Sequence, residues 1–425
     1  MKKIVEKILK ILAAAVVKKY RPFIIGVTGS MGKTSTKEAV FAVLSKKFSV
    51  RRNIKNYNNE IGVPLTILGR DSGGRSPFKW LAVFFAGLRL LYSKNEYPQI
   101  LILEMGADKP GDLKYLVSFV DPNIGVITGI GDVPVHIEFF KSPVQVAREK
   151  ARLIEFLKAD DFAILNFDDK AVSAMAGKTK AKVLTYGFGE GAKVRATNYL
   201  LNIGFDPSLS GISFKIEYDG KAVPVRLDGI LGEHQVYPML AATCVGLAKG
   251  MNLLEIIEGL KNYKAPKGRM QMLEGIKHTW ILDDSYNASP AATLAALETL
   301  AKFEGRRKIA VLGDMLELGE FTEEMHRQIG EKASRSADFF FAVGERMKFA
   351  GQEAQAHGMA RQKVSWFEVA DEARMPLQMT IQKGDIILIK GSQSMRMEKI
   401  VEEIMAEPEN ASELLVRQEE KWKSR

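Results

Sequence analysis

The sequence predicts an α/β protein of two units: a central one on a mostly parallel sheet and a smaller, Rossmann-like α/β unit towards the C-terminus. Three observations carry that expectation. A β-rich run, Phe23–Val27, ends in a Gly/Ser turn and passes directly into a helical pattern, FIIGVTGSMGKTSTKEAVFAVL. Further apolar runs at Ile100–Glu104, Ile124–Thr128, Phe162–Asn166 and Val183–Tyr186 alternate with helical stretches, the pattern of a parallel sheet covered on both faces. The alternation resumes near Arg306, with KIAVLGDM, FFFAVG and DIILIKG as strands between helices.

The elements follow in order. Residues 1–22 read as a basic amphipathic helix: Ile4, Ile8, Ile11, Leu12 and Ala15 recur at helical spacing with lysines between them. Lys7 and Lys10 break the apolar run that a signal peptide needs. The pattern fits either a helix packed as a cap on its own domain or one lying on an anionic membrane surface, here the inner membrane face. Residues 23–304 form the central domain. An apolar insert at about 69–97 contains PFKWLAVFFAGLRLLY, a helix with Lys79 and Arg89 as its charged residues. Residues 193–230 read as short strands in an antiparallel patch. The second unit spans 305–406, and 407–425 is a charged tail expected to fray.

Composition bounds the function. The chain has 425 residues, 46% hydrophobic and 26% charged, the profile of a globular protein of two or three domains. The lone Cys244 excludes a disulfide framework and a cysteine-rich metal site, and suits a reducing cytoplasm. The net charge is +10, but residues 1–21 hold seven Lys/Arg against Glu6. The body is therefore close to balanced, and no nucleic-acid partner is expected. A monomer is expected.

The chemistry-bearing segment is Thr28-Gly29-Ser30-Met31-Gly32-Lys33-Thr34-Ser35. Glycines let backbone N–H groups face phosphate oxygens, and the helix start adds its dipole. Lys33 can reach the terminal phosphates and Thr34 can ligate Mg²⁺. The first glycine of the strict P-loop pattern falls at Val27. Glu104 ends a parallel strand, where ligand crevices lie, and suits Mg²⁺. Asn56, Asn58 and Asn59, in NYNNEIGVPLT, form a polar loop that reads as substrate recognition or as a structural turn. His136 and Lys150 follow the strand at 124–128.

These motifs occur in one order: TGSMGKT, NYNNEIGVPLT, EMGADKPGDL, HIEFF, AREKARL, GEHQVYPMLAA, KGRM, DDSYNASP, LGDMLELGE and IKGSQSMRME. Together they resemble the Mur ligase family from about Phe23 to about Met405. The resemblance implies an ATP-dependent amide-bond ligase of peptidoglycan precursor synthesis. It would join D-alanyl-D-alanine to a UDP-N-acetylmuramoyl-tripeptide through an acyl phosphate. A lipid-linked or other peptide-bearing wall precursor as acceptor, or a non-catalytic P-loop nucleotide-binding protein, stays open. The resemblance makes Lys33 the γ-phosphate contact and Thr34 and Glu104 ligands of one Mg²⁺. It makes His136 a contact of a second Mg²⁺ and Lys150 an N-carboxylated lysine. Arg269 would reach the phosphates, Gln235 the base, and Asp284 the ribose, with Tyr286 and Asn287 beside it.

Two departures stand out. The family's Gly-x-His-Asn-x-x-Asn reads Gly232-Glu233-His234-Gln235-Val236-Tyr237-Pro238, so Pro238 replaces an amide. The family also carries a UDP-binding domain before the P-loop strand. About 22 residues precede that strand here, and the domain is expected to be absent.

Overall fold

The computed structural model describes residues 2–54, 57–93, 96–204, 209–419 and 422. Helix α1 (Lys2–Tyr20) leads into β1 (Phe23–Thr28) and α2 (Lys33–Leu44). There follow β2 (Val50–Arg52), α3 (Gly62–Leu68), α4 (Pro77–Tyr92), β3 (Ile100–Glu104), α5 (Asp112–Val120), β4 (Ile124–Ile127), α6 (Pro143–Glu155), β5 (Phe162–Asn166), α7 (Lys170–Ser173) and β6 (Lys182–Gly187). β7 (Val194–Asn202), β8 (Gly211–Tyr218) and β9 (Lys221–Asp228) come next.

Among the described residues these strands form one sheet, ordered β2-β3-β1-β4-β5-β6-β7-β8-β9. Pairing is parallel from β2 to β7 and antiparallel from β7 to β9, as the 193–230 pattern predicts. Alternate residues of β1 serve opposite cores. Ile25 and Val27 pack with α2, α8 (Val236–Ala248) and α9 (Leu253–Leu260); Ile24 packs with α1, α3, α4 and α5. Strand order reverses at β1, so the loop after it opens at the switch point where α/β sheets bind ligands.

The second unit contains β10 (Gln271–Gly275), β11 (Thr279–Asp284), α10 (Pro290–Ala301), β12 (Lys308–Gly313), α11 (Thr322–Ser336), β13 (Phe339–Val343), α12 (Met347–Ala356), β14 (Val364–Phe367), α13 (Ala370–Thr380), β15 (Ile386–Lys390), α14 (Glu398–Ile404) and α15 (Ala411–Leu414). Its sheet runs β10-β11-β15-β12-β13-β14, parallel except at β10.

Three expectations change. The boundary near Gly305 falls inside the second unit, because β11 pairs with β15, Trp280 opposite Ile386. A strand whose partner lies a hundred residues on gives no local signal of its sheet. The tail does not fray at residue 407: Ala411 and Leu415 are buried, and Arg417 Nη1 donates to Glu398 Oε2 at 2.7 Å. Helix α1 buries Val5, Leu9, Leu12, Ala13 and Val16 against α3, α4 and α5, and leaves Ile4 and Ile11 exposed. Its apolar positions fit two adjacent faces, and packing selects the one a step round from the expected stripe. The helix is a cap on the domain. No helix among the described residues is long and apolar enough to cross a membrane.

Candidate active site

Two adjoining clefts lie between the C-terminal strand ends of the two sheets. The smaller, about 220 Å³, is lined by the glycine loop, Asn58, Glu104, Asp108, His136, Arg269, Asn287 and Gln393 among others. The larger, about 500 Å³, is lined by Thr34, Ser35, Asn166, Asp168, Asp169, His234, Gln235, Tyr237, Asp284 and Lys390 among others. Met31, Gly32, Thr34 and Arg269 border both.

The loop after β1 needs its glycines. Gly29 has φ +150°, and a Cβ there would lie 1.9 Å from Thr128 Oγ1. Gly32, at φ +77°, caps α2 in a left-handed conformation. Ser30 and Met31 donate their N–H groups to Gly129 O at 2.7 and 3.1 Å, which fastens the loop to the end of β4. Thr28 lies under the loop, its hydroxyl donating to Met105 O at 2.8 Å. Lys33 Nζ folds back on Gly29 O and Ser30 O, at 2.7 and 3.3 Å. Burial lowers its pKa, and no carboxylate pairs with it among the described residues. Ser30 Oγ is buried without a partner among the described residues. A cation lacking an acid and an unsatisfied hydroxyl, at a helix start, fit a bound phosphate.

Glu104 ends β3, held by Asn53. Asn53 Oδ1 accepts from Glu104 N at 2.9 Å, and Asn53 O accepts from Lys37 Nζ at 2.8 Å. Buried Lys37 lies 3.6 Å from Glu104 Oε2, and Asn58 Nδ2 donates to Oε1 at 3.3 Å. His136 sits at φ +68° at the start of a 3-10 turn. Its Nε2 is 3.5 Å from Asp108 Oδ1, and its Nδ1 meets Glu317 Oε2 from the second unit. That contact lowers the Glu317 pKa. A carboxylate on one ring nitrogen orients the imidazole for the other to ligate.

Lys150, on α6, is buried and lines neither cleft. Burial, then the nearby Lys33 charge, lower its pKa to about 7. No ion pair or hydrogen bond holds its amine among the described residues. A neutral amine is the form that adds CO₂, so this environment suits an N-carboxylated lysine.

The second unit supplies the opposite wall. Gly268, at φ +64°, turns the chain so that Arg269 stacks over the Tyr286 ring at 4.2 Å. Asp284, ending β11, accepts from Lys390 Nζ at 2.6 Å and from Met270 N at 3.2 Å. Lys390, ending β15, also donates to Asn287 O at 3.1 Å. Asn287 lines the smaller cleft, and its Oδ1 accepts from Gln393 N at 3.3 Å. Gln235 is buried in the larger cleft, its amide near Arg269 O at 3.4 Å and the Tyr263 hydroxyl at 3.5 Å. Burial lowers the pKa of His234 to about 4, so its imidazole is neutral at pH 7. Pro238 sits in the first turn of α8, where a missing N–H does no harm.

The structure thus gathers Ser30 to Ser35, Glu104, His136, Arg269, Asn58, Gln235, Asp284 and Asn287 along one interface. Of the other expected residues, Lys150 is buried and lines neither cleft. Asn59 is a turn residue: its Oδ1 accepts from Ile61 N and Gly62 N, and it lines neither cleft. Asn56 lies outside the described residues. Sequence reading passed over Lys37, Asp108, Asp168, Asp169, Tyr237, Glu317 and Lys390. Asp168 accepts from Tyr237 Oη at 3.0 Å, and Asp169 from Ile130 N and Gly131 N at 2.7 and 2.9 Å. The signal was present for Asp168, Asp169 and Lys390: each stands at or just past a parallel strand's C-terminal end, as Glu104 does.

The chain is similar to known proteins in sequence and fold. The family description "Mur ligase middle domain" matches residues 27–75 and 86–246, and "Mur ligase, glutamate ligase domain" matches 268–393. This chain belongs to the Mur ligase family. A Bacillus subtilis relative named UDP-N-acetylmuramoyl-tripeptide--D-alanyl-D-alanine ligase is 30% identical over 94% of this chain and 79% of its own length. The Acinetobacter baumannii MurF crystal structure is 26% identical, with a TM-score of 0.76 over 92% of this chain and 79% of that one. MurF ligase from Thermotoga maritima in complex with ADP is 26% identical, with a TM-score of 0.76 over 94% and 83%. Both units therefore carry a Mur ligase fold.

Proposed function

We propose that this chain is an ATP-dependent ligase of peptidoglycan precursor synthesis. It would join D-alanyl-D-alanine to a UDP-N-acetylmuramoyl-tripeptide or a similar peptide acceptor. One observation carries the reading: the glycine loop with Lys33, the Glu104–His136 cleft and Arg269 converge where the two units meet, in a chain whose curated relatives bear that activity in their names.

The reaction must bring an acceptor carboxylate to the γ-phosphate of ATP, two anions. Lys33 and Arg269 offset that repulsion and stabilise charge on the transferring phosphoryl group. A carboxylate oxygen attacks the γ-phosphorus and ADP departs. The amine of D-alanyl-D-alanine then attacks the carbonyl carbon, phosphate leaves, and the amine loses a proton. Thr34, Glu104, His136 and N-carboxylated Lys150 would hold two Mg²⁺, which when bound supply charge neutralisation for the phosphates. No cluster of three or more His, Cys, Asp or Glu side chains forms a metal cage among the described residues. Mg²⁺ generally keeps several waters and phosphate oxygens as ligands. The larger cleft, with Gln235, Asp284 and Lys390, would take base and ribose. Its position between two units lets closure exclude water from the labile acyl phosphate.

Phosphate release tests the reading. It should require ATP, a peptide acceptor and D-alanyl-D-alanine together. Comparing a UDP-linked with a lipid-linked acceptor identifies the acceptor class. Steady release without either peptide substrate would overturn the ligase reading in favour of a plain nucleotide hydrolase.

A further inference from the structure

Helix α4 is apolar on two opposite sides. Val83 and Gly87 are buried, with Trp80, Phe84, Leu90 and Leu91 partly covered, in the core shared with α1 and α3. Gly87 permits the close approach, since a Cβ there would lie 3.0 Å from Leu12 Cδ1. Lys19 of α1 ties down the end of α4, donating to Leu90 O, Leu91 O and Ser93 O at 2.8–2.9 Å. The far side carries Phe78, Leu81, Phe85, Leu88 and Tyr92 at alternating three- and four-residue steps, and they are 81, 53, 72, 42 and 87% exposed. A helix apolar all round is ordinarily enclosed. On the neighbouring α1, Ile4 and Ile11 are exposed as well.

Two further observations indicate what covers this face. Its rim is basic: residues 69–93 hold Arg70, Arg75, Lys79 and Arg89 against Asp71, and α1 adds exposed Lys3, Lys7 and Lys18. A second copy of the chain would bring two such rims together at a like-charge cost, whereas an anionic surface matches both rim and face. Residues 76–85, which carry Phe78, Leu81 and Phe85, are also the stretch the middle-domain match passes over. The first three stripe residues therefore lie in an insertion relative to the family match, while Leu88 and Tyr92 fall within it.

We propose that the outer face of α4 lies in the interface of an anionic lipid bilayer, its aromatic stripe among the acyl-chain ends and its basic rim at the headgroups. The apolar face of α1 is taken up by the domain core, so α1 contributes its exposed lysines and α4 supplies the insertion. Bound this way, the cleft would work beside the membrane without a spanning segment.

Co-sedimentation of the full chain with equimolar phosphatidylcholine–phosphatidylglycerol vesicles tests this, with pure phosphatidylcholine vesicles as the neutral arm. Binding should be seen with anionic vesicles, weaken steeply with salt, and be far weaker with neutral ones. Phe78→Ser/Phe85→Ser should reduce partitioning at least ~10-fold, and Lys79→Glu by roughly fivefold or more. Both sites are exposed, so the melting temperature should hold; circular dichroism checks it. Absent binding to anionic vesicles overturns the proposal, as does equal binding by a folded Phe78→Ser/Phe85→Ser variant. A dimer in analytical ultracentrifugation that the double variant dissociates, with no vesicle binding, assigns the face to a second copy instead.

Discussion

The glycine-loop end and the Asp284 end of the cleft hold their lysines differently. At the Asp284 end Lys390 is buried against that carboxylate at 2.6 Å, and at the end of β3 Lys37 stands 3.6 Å from Glu104. Beside the glycine loop, Lys33 and Lys150 have no carboxylate partner among the described residues, and burial lowers both pKa values. The paired lysines hold acids in place. In the proposed reaction the unpaired ones meet groups the chain does not supply: phosphate for Lys33, and CO₂ for Lys150.

The largest expected effect belongs to a paired lysine. Lys390→Met leaves Asp284 buried without its cation, which should cost about 3–5 kcal/mol of stability in denaturant titration. Lys33→Ala should do the reverse. Its fold should melt as before, while ligation falls by ~10²–10³ through loss of one transition-state contact. A Lys33→Ala protein that is both destabilised and active would break the distinction.

Lys150 sharpens it further. Its native pKa of about 7 lies below the 10.5 of a free lysine, so between those values the unfolded chain binds the extra proton. Stability from this group therefore rises with pH, by roughly 2 kcal/mol from pH 7 to 9. In CO₂-free buffer Lys150→Met should lack that rise. It should also be inactive, with partial rescue by short carboxylates. The smallest effect is at Glu317, a half-exposed acid. Glu317→Gln should cost about 0.5–1 kcal/mol, read as a severalfold rise in the KM for ATP with little change in melting.

Legibility along the chain followed the same division. The loop at 28–35 was readable because strand, turn and helix are contiguous, and each residue's role is set by its neighbours. Asp284–Lys390 joins residues whose strands are adjacent in space and far apart in sequence. Arg417, which grips Ser285 O and Tyr286 O from the tail, is likewise set by tertiary contact alone. Asn59 differs in the opposite sense: its Oδ1 serves a local turn, the alternative that a polar cluster in sequence cannot separate from ligand binding. The face of α1 was misplaced by one step, since neighbouring apolar positions let the fold choose.

In the proposed reaction the acceptor carboxylate is activated by the γ-phosphate in this cleft. The most direct measurement uses an acceptor carrying ¹⁸O in its reacting carboxylate, with ATP and D-alanyl-D-alanine, and mass analysis of the released phosphate. One ¹⁸O should appear in phosphate for each amide formed, and Lys33→Ala should slow both together by ~10²–10³. Amide formation with unlabelled phosphate would contradict it.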